Sequence, residues 1–151
     1  MSGRLGGIAR HRRPRGAMET LDAVEVTLER GVEGDLRGGA KGKPHKRQVT
    51  LIERGDWDAA MAELGLSLDW AERRCNLLVD GFDIPQQRGA RVRIGESLVL
   101  EITTECDPCS RMEALASGLE AALTPDWRGG ACARVISGGP IAIGDPIRIE
   151  P

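Results

Sequence analysis

The 151 residues, 40% hydrophobic and 29% charged, suit one globular domain that buries a core without disulfides, and they exclude disordered and collagen-like classes. No apolar run approaches the roughly 18 residues of a membrane-spanning helix, so a helical membrane protein is excluded and no membrane partner is expected. The formal net charge of −2 hides a basic start, with five arginines and no acid in the first 16 residues. A basic arm attracts nucleic acid, but the remainder is acidic and offers one Phe, three Trp and no Tyr for base stacking, which argues against that partner.

In chain order, Met1–Ala17 is rich in Gly and Arg without a periodic apolar face, and residues 1–17 are expected to be a flexible basic leader. No apolar segment follows its arginines, so neither a Sec nor a twin-arginine export signal fits and a cytoplasmic location is expected. Val24, Val26 and Leu28 alternate with polar residues as a half-buried strand does. The stretch from Gly31 to Pro44 is expected to be a long flexible loop outside the core. Gln48–Ile52 follows as a second strand; Asp56 is expected to cap a helix over Trp57–Leu64, which Gly65 ends.

Asn76–Val79 reads as a buried strand. Val92 and Ile94, then Leu98, Leu100 and Ile102, alternate across Gly95-Glu96 as a hairpin. Met112, Leu115, Ala116, Leu119, Ala122 and Leu123 share one face of a single helix that stops before Pro125. Ala131–Ile136 and Pro146–Glu150 are closing strands, with turns at Gly138-Gly139-Pro140 and Gly144-Asp145. Many short strands and few helices predict a mainly β, barrel-like fold with two or three short helices.

Chemistry concentrates at Cys106-Asp107-Pro108-Cys109, between a strand and a helix. A helix N-terminus stabilises thiolate, and Arg111 adds a cation two residues on. Such a sulfur can act as nucleophile, carry sulfur or ligate a soft metal; equally, the pair can be a buried hydrophobe and a turn residue. Structural zinc needs two close-spaced ligand pairs, whereas Cys75 and Cys132 stand alone and His11 and His45 fall in apparent loops. In a cytosolic chain all four cysteines are expected to be thiols.

Arginines form the second pattern. Arg37 and Arg47 bracket the glycine-rich loop, Arg73 and Arg74 precede Asn76, and Arg128 and Arg134 flank Gly129-Gly130-Ala131-Cys132. Guanidinium forks beside glycines suit a phosphate-bearing anion. The alternative is that they form ordinary surface ion pairs.

The ordered set Gly34-Asp35 with Arg37, Arg47-Gln48-Val49-Thr50-Leu51-Ile52, Arg74 with Asn76-Leu77, Gly89 to Gly95, Leu100-Glu101-Ile102-Thr103 and Cys106-x-Pro108-Cys109 resembles a MOSC domain. That module is named for the C-terminal part of molybdenum-cofactor sulfurase. Pro125-Asp126-Trp127-Arg128-Gly129-Gly130, Ala133-Arg134-Val135 and Gly144-Asp145-Pro146 extend the resemblance, which spans residues 18–151. It implies a β-barrel-like fold, an anion pocket for molybdenum cofactor (molybdopterin) and a cysteine that carries sulfur or ligates molybdenum. By position that cysteine is Cys109, with Arg37, Arg47, Arg74, Asn76, Arg111, Arg128 and Arg134 as the cofactor-binding set.

The resemblance implies a stand-alone domain whose partners are a cysteine desulfurase or a molybdoenzyme. A second implication is a molybdenum-dependent reductase of N-hydroxylated compounds; the additional N-terminal domain of reductase members is not expected here and no four-cysteine iron–sulfur spacing is present, so a separate electron donor protein would be needed. A third reading is a non-catalytic binding module for a phosphorylated metabolite. Pyridoxal phosphate is not expected, because Lys41, Lys43 and Lys46 all fall in one loop and a Schiff-base lysine is normally held and desolvated.

Overall fold

The computed structural model describes residues 2–151. Seven strands close into a barrel. The first, β1 (Ser2–Arg10), runs antiparallel to β6 (Leu77–Asp80), which lies parallel to β5 (Val49–Glu53). β5 pairs antiparallel with β9 (Ala131–Ser137), then β8 (Leu98–Glu105), β7 (Arg91–Ile94) and β11 (Pro146–Glu150) follow, each antiparallel to its neighbour. β11 returns to β1 through Gly3 opposite Ile147, which seals the ring. β2 (Glu19–Leu21) extends β1 outside the barrel, and β3 (Ala23–Thr27), β4 (Gly31–Val32) and β10 (Gly139–Ala142) form a separate three-stranded sheet.

Alternation along the strands sorts side chains into two cores. Leu5, Ile8, Leu51, Leu77, Leu100 and Ile102 fill the barrel. Their sequence neighbours Ile52 and Leu78, and Cys132 between the barrel residues Ala131 and Ala133, belong to the second core, where Trp57, Met112, Leu119 and Leu123 cover them. Each fully buried side chain of this size contributes about 1.5–3 kcal/mol. Cys75 and Cys106 lie in this second, outer core. Among the described residues no helix is long and apolar enough to cross a membrane.

Five expectations are corrected. Residues 2–10 are a barrel strand rather than part of a mobile leader, because Leu5, Ile8 and Ala9 are buried and glycine permits close approach: a Cβ on Gly7 would lie 2.6 Å from the Trp70 ring. The stretch after Gly31 is not outside the core. Val32 is fully buried opposite Val26, and Asp35 caps the short α1 (Leu36–Gly39) by accepting from the Gly38 N–H at 3.0 Å.

The helix near Trp57 begins earlier, as α2 (Arg54–Leu64), with Glu53 rather than Asp56 at its N-cap. Gly65, left-handed at φ 65°, ends it as expected. The expected helix over 112–123 is two, α3 (Ser110–Leu115) and α4 (Leu119–Ala122), broken where Gly118 turns left-handed at φ 89°. The Glu113 carboxylate bridges the break by accepting from the N–H groups of Gly118 and Glu120. Lastly, Gly139-Pro140 opens β10 against β3 instead of forming a free turn.

Candidate functional site

Past the end of β8, the Cys106 N–H donates to Gly130 O at 2.9 Å and carries the ladder one residue further. A side chain at Gly130, where φ is 107°, would collide with Leu51 O, so glycine is required for this approach. Pro108 then turns the chain, and Cys109 becomes the N-cap of α3, its carbonyl accepting from the Met112 N–H at 2.9 Å. Its thiol caps nothing and is exposed, while Met112 anchors the helix in the outer core.

Beneath Cys109 the remaining three cysteines are buried. Arg73 ends a 3₁₀ turn over Trp70–Arg73 and points inward at 6% exposure. Its Nε donates to Gly129 O at 2.9 Å, and its Nη2 donates to Cys106 O at 2.8 Å and reaches Cys106 Sγ at 3.5 Å. Hydrogen bonds from the Cys132 and Cys75 thiols, then the Arg73 charge, hold the Cys106 thiol far below the usual thiol range despite burial. Donation to Cys106 together with burial pushes Cys75 and Cys132 upward.

A cavity of about 60 Å³ opens above it, with Cys75 and Cys106 at the buried end and Cys109, Arg37, Arg74 and Arg111 around it. Arg37 comes from α1, Arg74 from the left-handed residue that ends the 3₁₀ turn, and Arg111 from α3. None of these three arginines takes part in the eight ion pairs found among the described residues. Burial and then the charges of Arg111 and Arg37 lower the pKa of Arg74, opposed by the weaker pull of Glu72 and Asp35, as expected where cations converge.

His11, read from sequence as a loop residue, is 7% exposed beside this group. Its N–H donates to Asp35 Oδ1 at 3.2 Å; its ring Nδ1 stands 3.6 Å from the same oxygen and has no hydrogen-bond partner. Burial lowers its pKa, Asp35 opposes this, and Arg74, Arg37 and Arg111 lower it further.

The structure therefore brings together Cys109, Arg37, Arg74 and Arg111. Arg47 is exposed, outside the cavity wall, though its charge acts on Cys106 and Cys132. Asn76 is buried and fully employed: Oδ1 accepts from Thr50 N–H and hydroxyl, and Nδ2 donates to Ala9 O, tying β1, β5 and β6 together. Arg128 pairs with Glu63 at 2.7 Å and Arg134 with Glu101 at 2.9 Å, both away from the cysteines. Arg73 and His11 had no place in the expected site set. An isolated histidine carries no spacing signal, and adjacent arginines of identical chemistry give no sign of which one turns inward.

The MOSC domain family model matches residues 32–148. Solved structures share the fold: the YuaD protein from Bacillus subtilis, with a TM-score of 0.79 at 16% identity, covers 97% of this chain and 94% of its own. YiiM from Geobacillus stearothermophilus has a TM-score of 0.72 at 14% identity, over 96% of this chain and 73% of its own. YiiM from Escherichia coli has 0.67 at 18% identity, over 98% and 70%. No curated protein matches the chain by sequence.

Proposed function

The chain belongs to the MOSC domain family, and from that premise we propose that it is a sulfur carrier that serves molybdenum cofactor, with Cys109 as the carrying atom. The observation that carries this reading is an exposed sulfur at a helix N-cap that lines one cavity with three guanidinium groups, none of them ion-paired among the described residues. An anion is the complement such a site lacks.

The donor set fits the cofactor's chemistry: one soft sulfur for the metal end and guanidinium forks for the phosphate. A volume of about 60 Å³ is well below the roughly 300 Å³ at which ligand pockets begin, so only the reacting end enters and the bulk remains outside. When bound, the cofactor would supply a soft metal that accepts terminal sulfur. The chain's own part is to hold sulfur on Cys109, orient the anion through Arg37, Arg74 and Arg111, and keep Cys106 charged and close. The confined cavity favours a small cargo, one sulfur atom delivered as persulfide by a cysteine desulfurase and passed on to a molybdoenzyme's cofactor.

Anaerobic purification from a cofactor-producing host tests the reading. Cyanide-releasable sulfur that disappears in Cys109→Ala supports it. Molybdenum near stoichiometric with the chain and stable to cyanide instead supports a permanent Cys109 ligand in a reductase, a reading favoured by the same soft donor on the cavity wall. Neither sulfur nor metal, with phosphate compounds still bound, leaves the binding module.

A further inference from the structure

Cys106 is not required to carry sulfur, yet it shares the cavity wall with Cys109 three residues away, and a buried guanidinium touches its sulfur. We propose that Cys106 is the resolving thiol of Cys109, expelling the carried sulfur as hydrosulfide inside the arginine-walled cavity. The inference rests on the carrier reading above.

In the step, Cys106 Sγ attacks the inner sulfur of the persulfide Cys109–S–SH. A bond forms between Cys106 Sγ and Cys109 Sγ, the outer S–S bond breaks, and its electron pair leaves with the outer sulfur as HS⁻. Cys106 Sγ is oxidised by one electron and the outer sulfur is reduced by one, while Cys109 Sγ keeps its oxidation state and only exchanges its sulfur partner. A low-molecular-weight thiol then restores both cysteines. The attacking group must be a thiolate; the Arg73 guanidinium at 3.5 Å from Cys106 Sγ favours that form, and the neighbouring thiols and this charge lower the Cys106 pKa. Cys75 lines the same cavity, but Cys106 beside it and burial push its pKa up, away from the reactive form. Cys132 is off the cavity wall. Of the three buried cysteines, Cys106 alone combines a guanidinium at its sulfur with a place on the wall that Cys109 shares. Arg37, Arg74 and Arg111, which line the same cavity, hold the departing anion beside an acceptor.

The test loads the reduced full-length chain with sodium polysulfide, removes the excess, and follows released sulfide alongside the mass and alkylation state of the peptide holding both cysteines. Wild type should release sulfide while that peptide becomes lighter by two hydrogens and resists alkylation until reduced. Cys106→Ser should keep one extra sulfur atom on Cys109 and release sulfide roughly tenfold or more slowly. Release from Cys106→Ser at the wild-type rate, or a disulfide linking Cys109 to Cys75, overturns the proposal and leaves the carrier reading standing. If Cys109 acquires no sulfur in either protein, the carrier reading falls and takes the proposal with it. Should Cys106→Ser fail to fold, the wild-type peptide decides alone, with Cys106 and Cys109 either joined after release or both free.

Discussion

The guanidinium of Arg73 and Cys106 meet twice, at the carbonyl at 2.8 Å and at the sulfur at 3.5 Å. With Gly129 O held by the same side chain, Arg73 fastens the loop before β9 to the end of β8. Arg73→Met should therefore leave two buried carbonyls without a donor and cost about 2–4 kcal/mol, read as a lowered urea midpoint with unchanged slope. A loss below measurement error would show that these contacts do not hold the site together.

The exposure of Cys109 against three buried thiols predicts staged alkylation. Native protein treated with iodoacetamide should take its first label at Cys109, while Cys75 and Cys132 react only on unfolding. Peptide mapping checks the assignment, and appearance of Cys75 or Cys132 among the early labels would contradict the outer core described above.

Arg111 is exposed and has no partner, whereas Arg128 is tied to Glu63. Titration with pyrophosphate should show Arg111→Ala weakening binding by about 1–2 kcal/mol, more at low salt than at high. Arg128→Ala should bind as wild type does.

Burial raises the Glu53 pKa from 4.5 to about 7, opposed by the Ile84 N–H and aided by Asp56 and Asp83. Because the folded value lies above the unfolded one, Glu53 favours folding below about 4.5 and that contribution disappears as the pH rises through about 7. Urea midpoints at about pH 5 and about pH 8 should differ in wild type by more than in Glu53→Gln. Equal differences would place the dependence elsewhere.

Gly7→Ala puts a methyl carbon 2.6 Å from the Trp70 ring and should cost about 1–3 kcal/mol, seen as a lower melting temperature. Gly39→Ala, with nothing within 4 Å, is the control and should lie within about 0.5 kcal/mol of wild type.

What was legible in the chain follows local signals. The β7–β8 hairpin is visible because Val92, Ile94, Leu98, Leu100 and Ile102 alternate about Gly95, whose φ of 68° the turn needs. The position of Cys109 before a helix is visible from Pro108 and the apolar spacing that begins at Met112. β1 is hidden because glycine serves two opposite ends: in a free tail it adds freedom, while at Gly7 it admits an indole ring. The site is half legible for a related reason. Arg37, Arg74 and Arg111 carry the same charge as Arg128 and Arg134, and only the approach of acids from distant segments, Glu63 and Glu101, takes the latter two out of play. Such contacts are set by the closed barrel and leave no trace in spacing.

The seal between β1 and β11 has a kinetic consequence. A ribosome releases Gly3 long before its partner Ile147, so one flank of the opening strand stays unzipped until Ile147 emerges while β6 can already occupy the other. Ring closure by such distant pairing should be slow, and until it happens the bare strand edge is where nascent copies would stick to one another.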